Sequence, residues 1–154
     1  KSNINFLKLI DELSDIYSTT GIHVSFKDYS FLSDISFKSL YEKLKTKNNV
    51  FFCDNKYSNI YMLATKSNLI ISKYSSIVDE MLSIGKKVLI DDTEQYITNF
   101  NYYLSKEPIC ISTKKRLLSH IKEYKNIDFS KYENSHISSF EDYYKNLRKY
   151  INDN

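Results

Sequence analysis

The 154-residue chain contains two glycines, one proline, one alanine, two cysteines, three histidines and no tryptophan. Each scarcity closes off a class of function. With only Gly21 and Gly85, no glycine-rich loop is available to cradle phosphates, so a P-loop and a classical dinucleotide fingerprint are both excluded. Cys53 and Cys110 are far apart and fit no metal or redox spacing, and His23, His120 and His136 are too scattered to complete a metal site with them. Both cysteines follow apolar runs, which predicts buried thiols in a reducing compartment and no bound metal. There is no Gly-x-Ser-x-Gly elbow, chain order suggests no Ser/His/Asp set, and the histidines show no catalytic partner, so no catalytic residue is assigned. No apolar run approaches the roughly 20 residues that span a bilayer, and no signal peptide is evident. The expectation is a cytoplasmic protein.

What is present is lysine, asparagine, isoleucine and 14 tyrosines. This is mostly the signature of an AT-rich genome, so the tyrosines point only weakly to an aromatic binding surface. The net charge of +3 is small and its lysines are dispersed. Lys114-Lys115-Arg116 is the one basic triplet, and it reads as the solvated start of a helix. Nucleic acid is not an expected partner, since its binders gather their cations on one face. The length suits a single domain over 1–154 with a real core. The chain begins at Lys1 rather than Met, as expected of a piece of a longer protein.

Apolar periodicity alternates helix and strand. Phe6, Leu9, Ile10, Leu13, Ile16 and Tyr17 follow helical spacing, with Gly21 placed to stop that helix. A strand over 22–26 follows, then a polar loop over 28–35. Helices are predicted at 36–47, 58–66, 76–84, 113–124 and 139–151, and strands at 50–53, 69–72, 88–90 and 109–111. Gly85 suits the left-handed position after the fourth helix. Short apolar strands between helices imply a parallel sheet covered on both faces, hence an α/β, Rossmann-like doubly wound sheet of about five strands with a C-terminal helix. Such domains usually start with a strand, whereas this chain starts with a helical pattern. Either residues 2–5 form a minimal strand or the first strand lies upstream.

The most informative stretch runs from Leu69 to Ile90: strand, Ser75-Ser76 turn, helix, Gly85, strand. Ligands of open parallel sheets bind at the carboxyl ends of the strands, which places Lys27, Asp54, residues 72–76, Asp91 and Asp92 on one rim. A helix N-terminus offers unpaired N–H groups and about half a positive charge, so Ser75 and Ser76 suit a diphosphate. The plainer alternative is a capping box of Ser76 with Asp79. Glu80 lies one turn later, in reach of a ribose diol, or is simply an acid favoured by the helix dipole. Lys27 and Lys73 could neutralise phosphate, or be ordinary strand-end lysines. Tyr57 could stack on a base, or belong to a polar loop.

The same stretch, Leu69-Ile70-Ile71-Ser72-Lys73-Tyr74-Ser75-Ser76 through Gly85-Lys86-Lys87-Val88-Leu89-Ile90, resembles the donor-binding, C-terminal half of GT-B-fold glycosyltransferases. The likeness is greatest to bacterial enzymes of capsule and teichoic-acid synthesis. Weaker likeness extends to His23-Val24-Ser25-Phe26-Lys27, to Asn49-Val50-Phe51-Phe52 and to Tyr61-Met62-Leu63-Ala64. The resemblance implies that Ser75 and Ser76 contact the diphosphate of a nucleotide-activated sugar and that Glu80 contacts ribose or sugar. It implies a metal-independent transferase without a cofactor, whose N-terminal acceptor domain lies outside this chain. This half alone is then inactive, and peripheral membrane association belongs to the full-length protein. Three positions depart from the pattern: Lys73 where an acid is common, Lys87 where proline is usual, and Asp28-Tyr29 in place of His-Pro. Two rival readings stand beside it, a sugar-nucleotide epimerase domain and a non-enzymatic Rossmann-like interaction module. An open cleft beside Ser75, Ser76 and Glu80 favours the first two. A rim filled by residues 92–103 favours the third.

Overall fold

The computed structural model describes residues 2–26, 29–53, 57–73, 75–95 and 108–130. The chain divides into two compact units, residues 1–63 and 64–154. The architecture is mixed α/β, with five α-helices and two small parallel sheets among the described residues. The predicted strands all form, and all their pairings are parallel, but they hydrogen-bond as two plus three instead of as one sheet of five. Each strand is only two to four residues long, so each ladder holds few bonds and the pattern of apolar runs does not by itself dictate which strands join.

The first unit opens with α1 (Ser2–Ile16), so residues 2–5 are helical and not a strand. Leu7, Leu9, Ile10 and Leu13 are buried, whereas Ile16 is exposed. The helix ends five residues before Gly21, and its stop is made elsewhere. Asn49 Nδ2 donates to the Ser14 and Tyr17 carbonyls at 2.9 and 3.2 Å, and Lys47 Nζ donates to the Asp11 carbonyl at 3.1 Å. Of these, the Ser14 carbonyl is one that the helix C-terminus leaves without an intrahelical partner. Strands β1 (Ile22–Val24) and β2 (Val50–Phe52) then pair in parallel, with His23 opposite Phe51. Between them lies α2 (Ile35–Lys45), capped by Asp34, whose carboxylate accepts from Ser36 N at 2.9 Å.

The expected polar loop over 28–35 is instead a 3-10 turn, Ser30–Ser33, flanked by core aromatics. Phe31 lies 4.7 Å from both Phe26 and Phe37, centroid to centroid, and Tyr29 also packs on Phe26. Two aromatics dispersed among polar residues carry no period, which is why the sequence hides this part of the core.

The second unit takes in the end of α3 (Tyr57–Lys66), then β3 (Ile70–Ser72), α4 (Ser76–Ser83), β4 (Val88–Asp91), β5 (Cys110–Ile111) and α5 (Lys114–Glu123). The sheet order is β3-β4-β5, so β4 is central. Val88, Leu89 and Ile90 are fully buried, as are Ile109 and Ile111. α4 and α5 both pack against β4. Val78 and Leu82 of α4 and Leu117 of α5 are likewise shut off from water. Fully burying one such side chain is worth roughly 1.5–3 kcal/mol. Gly85 adopts φ 76°, the left-handed conformation expected after α4. Lys87, the departure from the usual proline, reaches the far end of α5. Its Nζ donates to the Lys125 and Tyr124 carbonyls at 3.1 and 3.4 Å and lies near the Tyr124 and Phe129 rings. A cation at carbonyls just past a helix C-terminus is a favourable place for it. The predicted helix over 139–151 lies outside the described residues, and among the described residues no helix is long and apolar enough to cross a membrane.

Candidate functional site

The carboxyl edge of the second sheet gathers most of the residues singled out above. Parallel register sets Ser72 opposite Ile90, so the end of β3 and the Asp91-Asp92 end of β4 share one edge. The chain then turns directly into α4. Its N-cap is Ser75 and not Ser76: Ser75 is extended, with φ −162° and ψ 154°, and its Oγ accepts from Ile77 N at 3.4 Å. The Ser75 carbonyl accepts from Val78 N at 3.0 Å. Ser76 is therefore the first helical residue and is exposed. The proposed capping box fails by one position. With Ser75 as cap, the partner position belongs to Val78, and Asp79 is buried one residue further on. Two adjacent serines make the frame ambiguous in sequence, and the φ/ψ switch from extended to helical decides it.

Glu80 stands half-buried in the second turn of α4, and its carbonyl accepts from Ser83 Oγ at 2.7 Å. Lys73, at the end of β3, faces carboxylates. Its Nζ lies 3.3 Å from Glu94 Oε2 and 3.9 Å from Asp91 Oδ2. Asp91 also accepts from Thr93 N and Oγ1 at 3.1 and 2.7 Å, which orders the turn after β4. That turn closes with Gln95 N donating to the Asp92 carbonyl at 2.7 Å. Asp92 is only 2% exposed and stands beside the buried Cys110. Burial first, then the charges of Asp92 and Asp91, push the Cys110 thiol up to about 12. This thiol is therefore held protonated and inert.

The edge thus joins an exposed helix N-terminus with one lysine and a group of carboxylates. The helix end suits an anion; the carboxylates suit hydroxyl donors. Glu94 was not a sequence candidate. Its pairing with Lys73 depends on a turn that brings together residues 21 positions apart, with no motif to announce it. Lys27 and Asp54 lie outside the described residues, as does the side chain of Tyr57. Among the described residues, no three His, Cys, Asp or Glu side chains are grouped to hold a metal ion.

In the first unit, the structure corrects the expected burial of Cys53. Cys53 is half-buried rather than enclosed, and its Sγ lies 4.0 Å from His23 Nδ1. The strand register contains the signal for this: His23 pairs with Phe51, so Cys53, two residues on, shares its face. No protein-family model, curated protein or solved structure matches the chain.

Proposed function

We propose that the chain is the donor-binding half of a glycosyltransferase that uses a nucleotide-activated sugar in cell-surface polysaccharide synthesis. In this reading the two sheets belong to one doubly wound domain, and the ligand is a nucleoside diphosphate sugar. One observation carries it: Ser75 and Ser76 open α4 directly after β3, at the carboxyl edge of three parallel strands. That placement suits a diphosphate on the exposed helix end, with Lys73 as the nearest cation on the edge. Electrostatic stabilisation of the departing diphosphate by these groups needs no metal. Asp91, Glu94 and Glu80 would then serve the hydroxyl groups of ribose or sugar.

The ion pairs at the same edge favour a second reading, a non-enzymatic interaction module. Lys73 is engaged by Glu94 and Asp91, and residues 92–95 already turn across the end of β4. In that case the edge is satisfied internally and needs no ligand.

Calorimetric titration with UDP, CDP and GDP separates the two. The donor-binding reading predicts saturable binding of at least one nucleotide, weakened in Ser76→Ala. It also predicts tighter binding in Glu94→Gln, where Lys73 loses a competing carboxylate. Absence of heat with all three nucleotides, in the wild type and in Glu94→Gln, supports the interaction module.

A further inference from the structure

The first unit holds a thiol–imidazole pair that the proposed function does not use. Cys53 Sγ sits 4.0 Å from His23 Nδ1 and 3.7 Å from the Phe51 carbonyl oxygen, so the one thiol proton has two acceptors within reach, of which only the imidazole is a base. His23 is an exposed residue of β1, and Cys53 follows β2 directly. The His23 ring is held in place by stacking on Phe51, with centroids 5.1 Å apart and planes inclined by 23°. The Cys53 backbone is fixed on both sides: its N–H donates to the Val24 carbonyl at 2.8 Å, and its carbonyl accepts from Tyr29 Oη at 3.0 Å. Two strands therefore present a thiol and a base to each other on the face that carries exposed Phe51.

We propose that Cys53 is a thiol-modification site, activated by His23 and reactive towards small disulfides. The Cys53 proton passes to His23 Nδ1, and the thiolate attacks one sulfur of the disulfide. A new bond forms from Cys53 Sγ to that sulfur as the old sulfur–sulfur bond breaks. The departing thiolate takes up the proton from the imidazolium. The products are a mixed disulfide on Cys53 and one equivalent of small thiol, so the small disulfide is the only oxidant consumed. Cys110, also a free cysteine, serves as the internal contrast, being buried and flanked by carboxylates.

The test compares native and urea-unfolded chain at pH 7 with dithiodipyridine, assigning each cysteine by peptide mass mapping. An ordinary thiol is a few per cent thiolate at this pH. A neighbouring base that raises the thiolate fraction raises the attacking population, and the lower basicity of the thiolate returns part of that gain. Cys53 is expected to react about threefold faster in the native chain than in the unfolded one. Cys110 is expected to be strongly protected in the native chain. In His23→Gln the native advantage of Cys53 disappears while Cys110 stays protected. Cys53 reacting more slowly when native than when unfolded overturns the proposal, and that result needs no variant. An unchanged advantage in a folded His23→Gln chain overturns the role of His23.

Discussion

Val50–Phe52 and Val88–Asp91 read alike in sequence, each a short apolar run after a helix, yet they meet different surroundings. All four residues of β4 are buried; β2 buries Val50 and leaves Phe51 47% exposed. β4 has a strand on each edge and helices α4 and α5 packed against it. β2 pairs with β1 and packs against α2. Two-sided burial is therefore a property of the neighbours a strand acquires, not of its own apolar run. The same difference separates the two cysteines, one directly after β2 and one in β5, which pairs with β4. Cys110, beside the central strand, is enclosed and protonated; Cys53, at the end of β2, lies beside an exposed histidine.

The largest test of this contrast is truncation. Leu89→Ala in β4 removes a fully buried side chain and is expected to cost about 3 kcal/mol in urea denaturation. Phe51→Ala, although it deletes a larger side chain, is expected to cost about 1 kcal/mol, because half of that ring already faces water. Equal losses would mean that the exposed face of β2 is covered in solution.

The helix cap gives a smaller effect. Ser75→Ala is expected to lower stability by about 1 kcal/mol through loss of the cap. Ser76→Ala, at the exposed first helical position, is expected to change it by under about 0.5 kcal/mol. The reverse order would restore Ser76 as the cap.

Acid gives the smallest effect and should act on the first unit. Burial pushes the Asp11 carboxyl up, but hydrogen bonds and charges from Lys43 and Lys47 outweigh it and hold it below the usual carboxylate range. Lys43 Nζ lies 2.6 Å from Asp11 Oδ2, and Lys47 Nζ 2.7 Å from Asp11 Oδ1. A carboxyl lowered by folding stabilises the native state at pH values above its unfolded pKa. That contribution fades as pH falls below about 4. Asp11→Asn should flatten the decline in urea midpoint between about pH 4 and pH 2. An unchanged slope would remove the ion pairs from the account.

Much of the fold is legible in the sequence because helix and strand periods are local. The five strands, the five predicted helices that fall among the described residues and the left-handed Gly85 follow from spacing alone. The misses are non-local. α1 ends where Asn49 and Lys47 reach back to it, some 32 to 36 residues away, so Gly21 misled. Phe31 joins the core without periodicity, because its contacts come from other elements. At the candidate site, Ser75, Ser76, Lys73, Asp91 and Asp92 are legible from the rule that ligands gather at strand ends. Glu94 and the His23–Cys53 pair are not, since each depends on a turn or a register between strands.

The central claim, that the Ser75-Ser76 end of α4 receives a diphosphate, is tested most directly by amide chemical shifts during a UDP, CDP and GDP titration. The account predicts saturable shifts concentrated on Ser75 to Glu80, with Thr113 to Leu117 at the start of α5 unmoved. Flat signals at Ser75 to Glu80 with all three nucleotides, or equal shifts at both helix starts, would contradict it.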